Sequence, residues 1–372
     1  MSKHLYFVAG EASGDEHGAA LMLALRELDA QVRFSGRGGP KMHAIAGGAF
    51  RNWSESAAVV GLWEVVRRYG YFREEFAATL DEIAAAKPDG IVLIDYPGFN
   101  LRLARALRRR NFAGKIIYYI SPQVWAWNRA RIPRMARSLD LMLCIFPFEA
   151  ELYNQSGLRT IFVGHPMLQN LATAHDELTR DENLVGLFPG SRLREVRKIL
   201  PILQSAAQLM IGARPQLRFE VAAASESLAT EIRAILAETD NFIVTVGQAT
   251  DLMRRAAVGA VASGTATLEA AFFRMPFVLV YKVSWLTYAA ARLVVKVKFL
   301  GMPNVLAGRE IVPELIQHHA HPRAIADALL TLLCDATVRS KMLVDLQTAI
   351  GTLGDTPASA SAARAVLDEL ST

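Results

Sequence analysis

Between residues 256 and 269 the chain reads Ala-Ala-Val-Gly-Ala-Val-Ala-Ser-Gly-Thr-Ala-Thr-Leu-Glu. An apolar run, 258–262, ends in Ser263-Gly264-Thr265, and a helix-like pattern through Leu268, Ala271 and Phe272 follows. The abrupt change of period, from a buried strand to a helix, commits this part of the chain to an α/β unit. Small residues at such a turn let backbone N–H groups approach an anion, and a helix N-terminus adds about half a positive charge. The candidate anion contacts are therefore Ser263, Gly264, Thr265 and Ala266. Glu269, one turn into the helix, would face whatever adjoins a bound phosphate, which in a nucleotide is the ribose. Ser-Gly-Thr is also an ordinary capping turn, so the remaining chain has to decide.

The same grammar recurs along the chain. Residues 5–9 read as a strand, 10–15 as a Gly-rich turn and 18–28 as a helix, which is how a doubly wound sheet opens. A dinucleotide site would next require an acid at the end of the second strand, but residues 31–35 run into Gly36-Arg37-Gly38-Gly39-Pro40. A helix at 79–86 and a strand at 90–95 follow, the strand finishing in Asp95, which Tyr96-Pro97-Gly98 holds in a turn. Carboxylates at strand carboxyl ends lie where open α/β sheets bind ligands, so Asp95 is the first candidate for chemistry, the rival role being a cap for a helix at 100–110. Further strands are expected at 115–120, 139–146 and 160–163, and a helix at 148–156. His165, between Gly164 and Pro166, suits a loop anchor or an acid/base.

Residues 167–183 are polar and read as a linker, after which the pattern restarts. A strand at 184–188 meets the turn Pro189-Gly190-Ser191-Arg192, where Ser191 and Arg192 stand as a diphosphate contact would. Strands at 218–224, 242–246 and 277–281, a tight loop at 302–308 and closing helices at 322–333 and 358–370 complete this half. The expected division is 1–168, 169–350 and a C-terminal helix in 351–372 that packs back on the first domain or on a partner chain. The expected fold class is α/β, two Rossmann-like doubly wound domains facing across a cleft.

Composition narrows the partners. At 372 residues and 52% hydrophobic the chain has material for two large cores. No uncharged apolar run reaches the ~18 residues a spanning helix needs, because Lys282, Arg292, Lys296 and Lys298 interrupt the longest candidate. The first strand follows Lys3 and His4 too closely to leave a signal-peptide core, so a cytoplasmic location is expected. Two cysteines, Cys144 and Cys334, make neither a disulfide framework nor a zinc site. A net charge of +5 favours anionic partners. Nucleic acid is not expected: Arg129, Arg131, Arg134 and Arg137 follow Trp125 and Trp127, yet no nucleic-acid fold signature accompanies them. Residues 59–76, read as a helix, would place Leu62, Val66, Tyr69 and Phe72 on one face with Trp63 nearby and Arg67, Arg68 and Arg73 around it. That pattern suits either a core-facing helix or an interfacial lid.

Taken together, the loops resemble one family, the lipid-A-disaccharide synthases, glycosyltransferases of the two-domain GT-B type. The resemblance rests on Val8-Ala9-Gly10-Glu11-Ala12-Ser13-Gly14-Asp15, Ile94-Asp95-Tyr96-Pro97 with Phe99-Asn100, and Ile120-Ser121-Pro122-Gln123-Val124-Trp125-Ala126-Trp127. It continues through Phe146-Pro147-Phe148-Glu149, Val163-Gly164-His165-Pro166, Phe188-Pro189-Gly190-Ser191-Arg192, 263–269, and Pro303-Asn304 with Leu306-Ala307-Gly308. The motifs stand in the family's order over nearly the whole chain. The family usually carries an acid after the proline of the Asp95 loop, where this chain has Gly98.

The resemblance implies an inverting transfer from UDP-2,3-diacylglucosamine to the 6-hydroxyl of 2,3-diacylglucosamine 1-phosphate, giving the β(1→6) disaccharide and UDP. It implies a peripheral enzyme on the cytoplasmic face of the bacterial inner membrane, an anionic surface, with a homodimer left open. For that chemistry Asp95 is the expected base and Glu11 its helper or an acceptor ligand. Arg192, Asn304 and the amides at 264–266 would stabilise the departing diphosphate, and Glu269 would accept from the ribose. The chain contains no Asp-X-Asp motif, so neither a metal nor a cofactor is expected. The acyl chains of the substrates would explain the mean hydropathy of +0.21 and the 59–76 segment. The alternatives are another GT-B enzyme or epimerase using a UDP-sugar with a different acceptor, and a non-catalytic lipid- or nucleotide-binding protein on the same scaffold.

Overall fold

Alternate residues of the first strand, His4–Ala9 (β1), face opposite ways, and both faces are buried. Leu5, Phe7 and Ala9 join one core with Leu21, Met22 and Leu25 of the Ala12–Leu28 helix and Val366 of the Ala358–Glu369 helix. Tyr6 and Val8 join another with Leu103 and Leu107 of the Pro97–Arg109 helix. A strand covered on both faces reads as a continuous apolar run, which is why the parallel strands are visible in the sequence. The computed structural model describes the chain outside residues 1, 54–68, 169–179, 237–240, 286, 287, 290, 291, 293, 294 and 296.

The chain divides into two compact units, Met1–Thr173 with Leu353–Thr372, and Ala174–Thr352. In the first, β1 is joined by Arg33–Gly38 (β2), Phe50–Asn52 (β3), Gly90–Ile94 (β4), Lys115–Tyr119 (β5), Leu141–Cys144 (β6) and Thr160–Phe162 (β7). All pairings are parallel, in the order β3-β2-β1-β4-β5-β6-β7. The strand order reverses between β1 and β4, so the loops after these two strands, carrying Glu11 and Asp95, open beside each other. The Ala358–Glu369 helix closes this unit: the carboxylate of Glu369, nearly buried, pairs with Lys115 at 3.1 Å and Arg159 at 2.7 Å.

The second unit is built alike from Asp181–Phe188 (β8), Arg218–Ala223 (β9), Phe242–Val246 (β10), Ala256–Ala262 (β11), Phe277–Tyr281 (β12) and Glu314–Ile316 (β13). Its parallel order is β10-β9-β8-β11-β12-β13, with the reversal between β8 and β11. The loops at that reversal are those of Arg192 and of 263–265.

Several elements depart from the expectations. The first helix begins at Ala12, so all of the anticipated Gly-rich turn beyond Glu11 is helix. The buried Asp15 carboxylate accepts from the backbone N–H groups of Gly39 (2.9 Å), Lys41 (2.9 Å) and Met42 (3.0 Å), which locks that first turn against the next loop. Residues 69–76 run unbroken into the expected 79–86 helix as Tyr69–Ala86, since neither glycine nor proline intervenes between Phe76 and Thr79. Leu62, Trp63 and Val66 lie outside the described residues, as does the side chain of Tyr69; Phe72 is half-buried, with its ring edge-on to Tyr71 at 5.5 Å. The anticipated 302–308 loop is a short helix, Met302–Ala307, ended by the left-handed Gly308. A helix at Ala336–Gly351, capped by Asp335, had no counterpart in the expectations. Among the described residues no helix is long and apolar enough to cross a membrane.

Candidate active site

Three strand ends build a cavity of about 350 Å³ in the second unit. From the β8 side come Gly190, Ser191, Arg192 and Glu195; from the β11 side come Ser263, Gly264, Thr265, Ala266 and Glu269. The alanines at 222–224, at the end of β9, form a wall whose small side chains leave the space open. Gly264 has φ +146°, and a Cβ there would meet nothing within 4 Å, so backbone geometry rather than crowding requires the glycine. Thr267 is buried and turns its hydroxyl onto the Gly264 carbonyl at 2.8 Å, which fixes the turn from below. The amides of Thr267, Leu268 and Glu269 donate within the turn, to Gly264 O at 3.1 Å and to Thr265 O at 2.9 and 3.2 Å, so the amides left for an anion at the cavity wall are those at 264–266.

Arg192 occupies the N-cap position of the Leu193–Ala213 helix, and its guanidinium, 74% exposed, donates to Glu195 at 3.1 Å. So exposed a pair contributes little to stability, and its guanidinium can be taken over by a stronger anion. Burial raises the pKa of Glu269 above its ordinary value. A hydroxyl donating to that carboxylate offsets the desolvation. The cavity thus gathers Ser191, Arg192, Ser263, Gly264, Thr265, Ala266 and Glu269.

Asn304, the other expected diphosphate contact, does not line this cavity. Its two amide hydrogens go to Val312 O and Glu314 Oε1, both at 2.8 Å, and its Oδ1 accepts from the amides of Ile311 (2.7 Å) and Val312 (2.9 Å). With 1% of its surface exposed and its donors spent, Asn304 ties the Met302–Ala307 helix to the approach of β13. Sequence reasoning missed Glu195 and the alanine wall; the run Ala222-Ala223-Ala224 at a strand carboxyl end was the available signal.

In the first unit Asp95 ends β4 in a left-handed conformation, φ +44°, and Tyr96 follows at φ +49°. Two consecutive non-glycine residues in this region cost roughly 1–2 kcal/mol each and persist only where surrounding bonds hold them. Asn100 supplies such bonds: its amide donates to the carbonyls of Asp95 at 2.8 Å and Ile94 at 3.1 Å. The Tyr118 hydroxyl donates to the Asp95 carbonyl as well. The following helix begins at Pro97 with Tyr96, not Asp95, at its N-cap, and Asn100 in its first turn pins the turn that presents Asp95.

Burial, and secondly the negative charge of Glu11, hold the Asp95 carboxyl above its ordinary pKa. Glu11 stands exposed at the N-cap of the first helix. The ring of Tyr96 lies over Gly10, where a Cβ would come within 2.5 Å of it, so only glycine admits this closure. Burial, then Glu11, pushes the Tyr96 phenol up to about 12. Behind these loops Trp53 donates its indole N–H to Ala9 O at 2.7 Å, and its ring stands edge-on to Tyr96 at 6.4 Å. Arg37, with no exposed surface, is bound by Glu75 and Glu82 and faces the Trp53 ring at 5.9 Å.

His165 is lowered to about 4 by burial and by His17, and its Nδ1 accepts from Met167 N at 3.3 Å. That bond and the burial suit the loop anchor of the two roles considered. Among the described residues no three His, Cys, Asp or Glu side chains cluster as a metal site.

Residues 5–366 match the family described as lipid-A-disaccharide synthetase. The chain is 40% identical to lipid-A-disaccharide synthase 1 of Legionella pneumophila (strain Paris), over 85% of this chain and 84% of that one. It is 37% identical to the lipid-A-disaccharide synthase of Myxococcus xanthus (strain DK1622), over 98% and 96%. Among solved structures, the calicheamicin glycosyltransferase CalG4 superposes with a TM-score of 0.59 at 15% identity, over 100% of this chain and 98% of that one, a likeness of fold. The two parallel α/β units are of GT-B type, and the chain belongs to the lipid-A-disaccharide synthetase family.

Proposed function

We propose that the cavity of the second unit binds the uridine diphosphate of UDP-2,3-diacylglucosamine, and that Asp95 of the first unit activates the 6-hydroxyl of 2,3-diacylglucosamine 1-phosphate. Membership of the family makes the chain a glycosyltransferase of lipid A disaccharide synthesis. In the proposed step the acceptor oxygen forms a bond to the anomeric carbon as its proton passes to Asp95. The bond from that carbon to the diphosphate oxygen breaks, and the electron pair leaves with UDP. A carboxylate with a raised pKa is the better base for an alcohol, provided that it remains ionised. Negative charge growing on the leaving group is met by Arg192 and by the amides at 264–266, which are oriented before the reaction begins. Glu269 accepts from the ribose, and Glu11 holds the acceptor or tunes Asp95.

The observation that carries this reading is the convergence of the Gly190–Ser191–Arg192 turn and the 263–269 segment on one cavity where the strand order of the second sheet reverses. Steady-state kinetics test it. Arg192→Ala is expected to lower kcat/KM at least about a hundredfold, the scale of losing a donor to developing charge. Glu269→Gln is expected to raise KM for the UDP-sugar while leaving KM for the acceptor unchanged. Wild-type constants for both variants would remove this cavity from the mechanism.

We further propose that the protein is peripheral on the cytoplasmic face of the inner membrane, drawn to anionic lipid by its net charge of +5. Flotation with phosphatidylglycerol vesicles should show binding that weakens as ionic strength rises. Binding equal on neutral vesicles and indifferent to salt would contradict the electrostatic part.

A further inference from the structure

A second opening in the first unit, about 210 Å³, lies beside the Asp95 turn and is lined by Pro97, Gly98, Arg102, Arg105, Arg131 and Arg134. Gly98, Arg102 and Arg105 stand at i, i+4 and i+7 of the Pro97–Arg109 helix and so share one face. Arg131 and Arg134 come from the facing segment, where Arg131 is steered by the Trp127 ring, 4.6 Å from its guanidinium carbon. At the far end of the same helix Arg108 pairs with Asp140, and Arg110, its C-cap, with Asp81. None of the four arginines in this pocket has a carboxylate partner among the described residues, and the lining contains no acidic side chain. At Gly98 an added Cβ would meet nothing within 4 Å, so the floor of the pocket is open.

Four guanidinium groups gathered without a counter-charge repel one another, and a dianion of matching size relieves them all. The planar fork of arginine suits phosphate oxygens in pairs. Pro97 is two residues from Asp95, which at 3.8 Å per Cα step places the two within roughly 7.6 Å. The pocket lining thus begins at the turn that carries the proposed base.

We infer that this pocket is a phosphate-monoester subsite that holds the 1-phosphate of the acceptor and so turns its 6-hydroxyl toward Asp95. The inference rests on the acceptor assignment made above. The phosphate of an anionic phospholipid headgroup is the other source of the same chemistry, and the test separates the two.

Initial rates are measured in neutral detergent micelles, free of anionic lipid, for wild type, R102A/R105A and Arg134→Ala. The acceptors are 2,3-diacylglucosamine 1-phosphate and the same sugar without phosphate. For both variants the KM of the phosphorylated acceptor should rise at least tenfold, with kcat within threefold and KM for the UDP-sugar unchanged. The preference for the phosphorylated acceptor should fall by the same factor. Using two variants from different segments guards against a folding defect, which unchanged melting temperatures would also exclude. Unchanged acceptor KM in both variants would overturn the subsite. So would a loss confined to phosphatidylglycerol vesicle binding, which would assign the pocket to the membrane. Wild type that forms no disaccharide from either acceptor would instead count against the acceptor assignment itself.

Discussion

Asp95 is held in a left-handed turn by bonds from Asn100 and Tyr118 to its carbonyl. Because burial and then Glu11 raise its pKa, the acid limb of the kcat/KM profile should lie above the ordinary carboxylate range. Below that limb Asp95 is protonated and cannot accept the hydroxyl proton, so the rate falls as pH falls. Glu11→Gln removes a negative neighbour and should move the limb to lower pH; a limb that stays in place would mean that Glu11 does not act on the titrating group. Asp95→Asn should cost at least about a hundredfold in kcat. Residues of this kind were legible because they stand at strand carboxyl ends, where the sequence shows a carboxylate or small residues directly after a buried run. Asn304 shows what the sequence leaves hidden. Its partners Ile311, Val312 and Glu314 lie before and at the start of a strand that the sequence does not announce, so its burial and its bonds could not be read in advance.

At the scale of elements, the Pro147–Gln155 helix carries a buried acid whose cost is measurable. Glu149 accepts from the indole N–H of Trp125 at 2.8 Å and from Phe146 N at 3.3 Å, which anchors the 121–127 loop. Burial nonetheless raises its pKa from 4.5 to about 7. A carboxyl raised on folding favours the native state fully below pH 4.5, and that contribution is lost as pH rises through 7. His165, lowered to about 4, works the other way, its contribution present above 6.5 and lost as pH falls. The two slopes oppose each other in the range they share. Denaturant unfolding should therefore show the stability of Glu149→Gln gaining on wild type between pH 4.5 and 7, by up to about 3 kcal/mol. Parallel curves would place the titration elsewhere. The strands around these loops were readable from their apolar runs, whereas helix limits depended on distant partners. Ala12 begins a helix because Asp15 is satisfied by Gly39, Lys41 and Met42, and nothing local to residues 10–15 carries that information.

For the whole molecule, the repeated strand, turn and helix grammar made two parallel α/β units legible, since each apolar run must be covered on both faces. What the sequence does not disclose is how far-separated residues meet, as where Glu369 pairs with Lys115 and Arg159 and binds the last helix into the first unit. The same holds for the open cavity of the second unit, made by three strand ends far apart in sequence. The account depends on that cavity being the nucleotide site. A crystal structure of the protein with UDP tests it most directly. The diphosphate should lie against Arg192 and the amides at 264–266, with a ribose hydroxyl on Glu269. UDP bound elsewhere, with this cavity empty, would contradict the central claim.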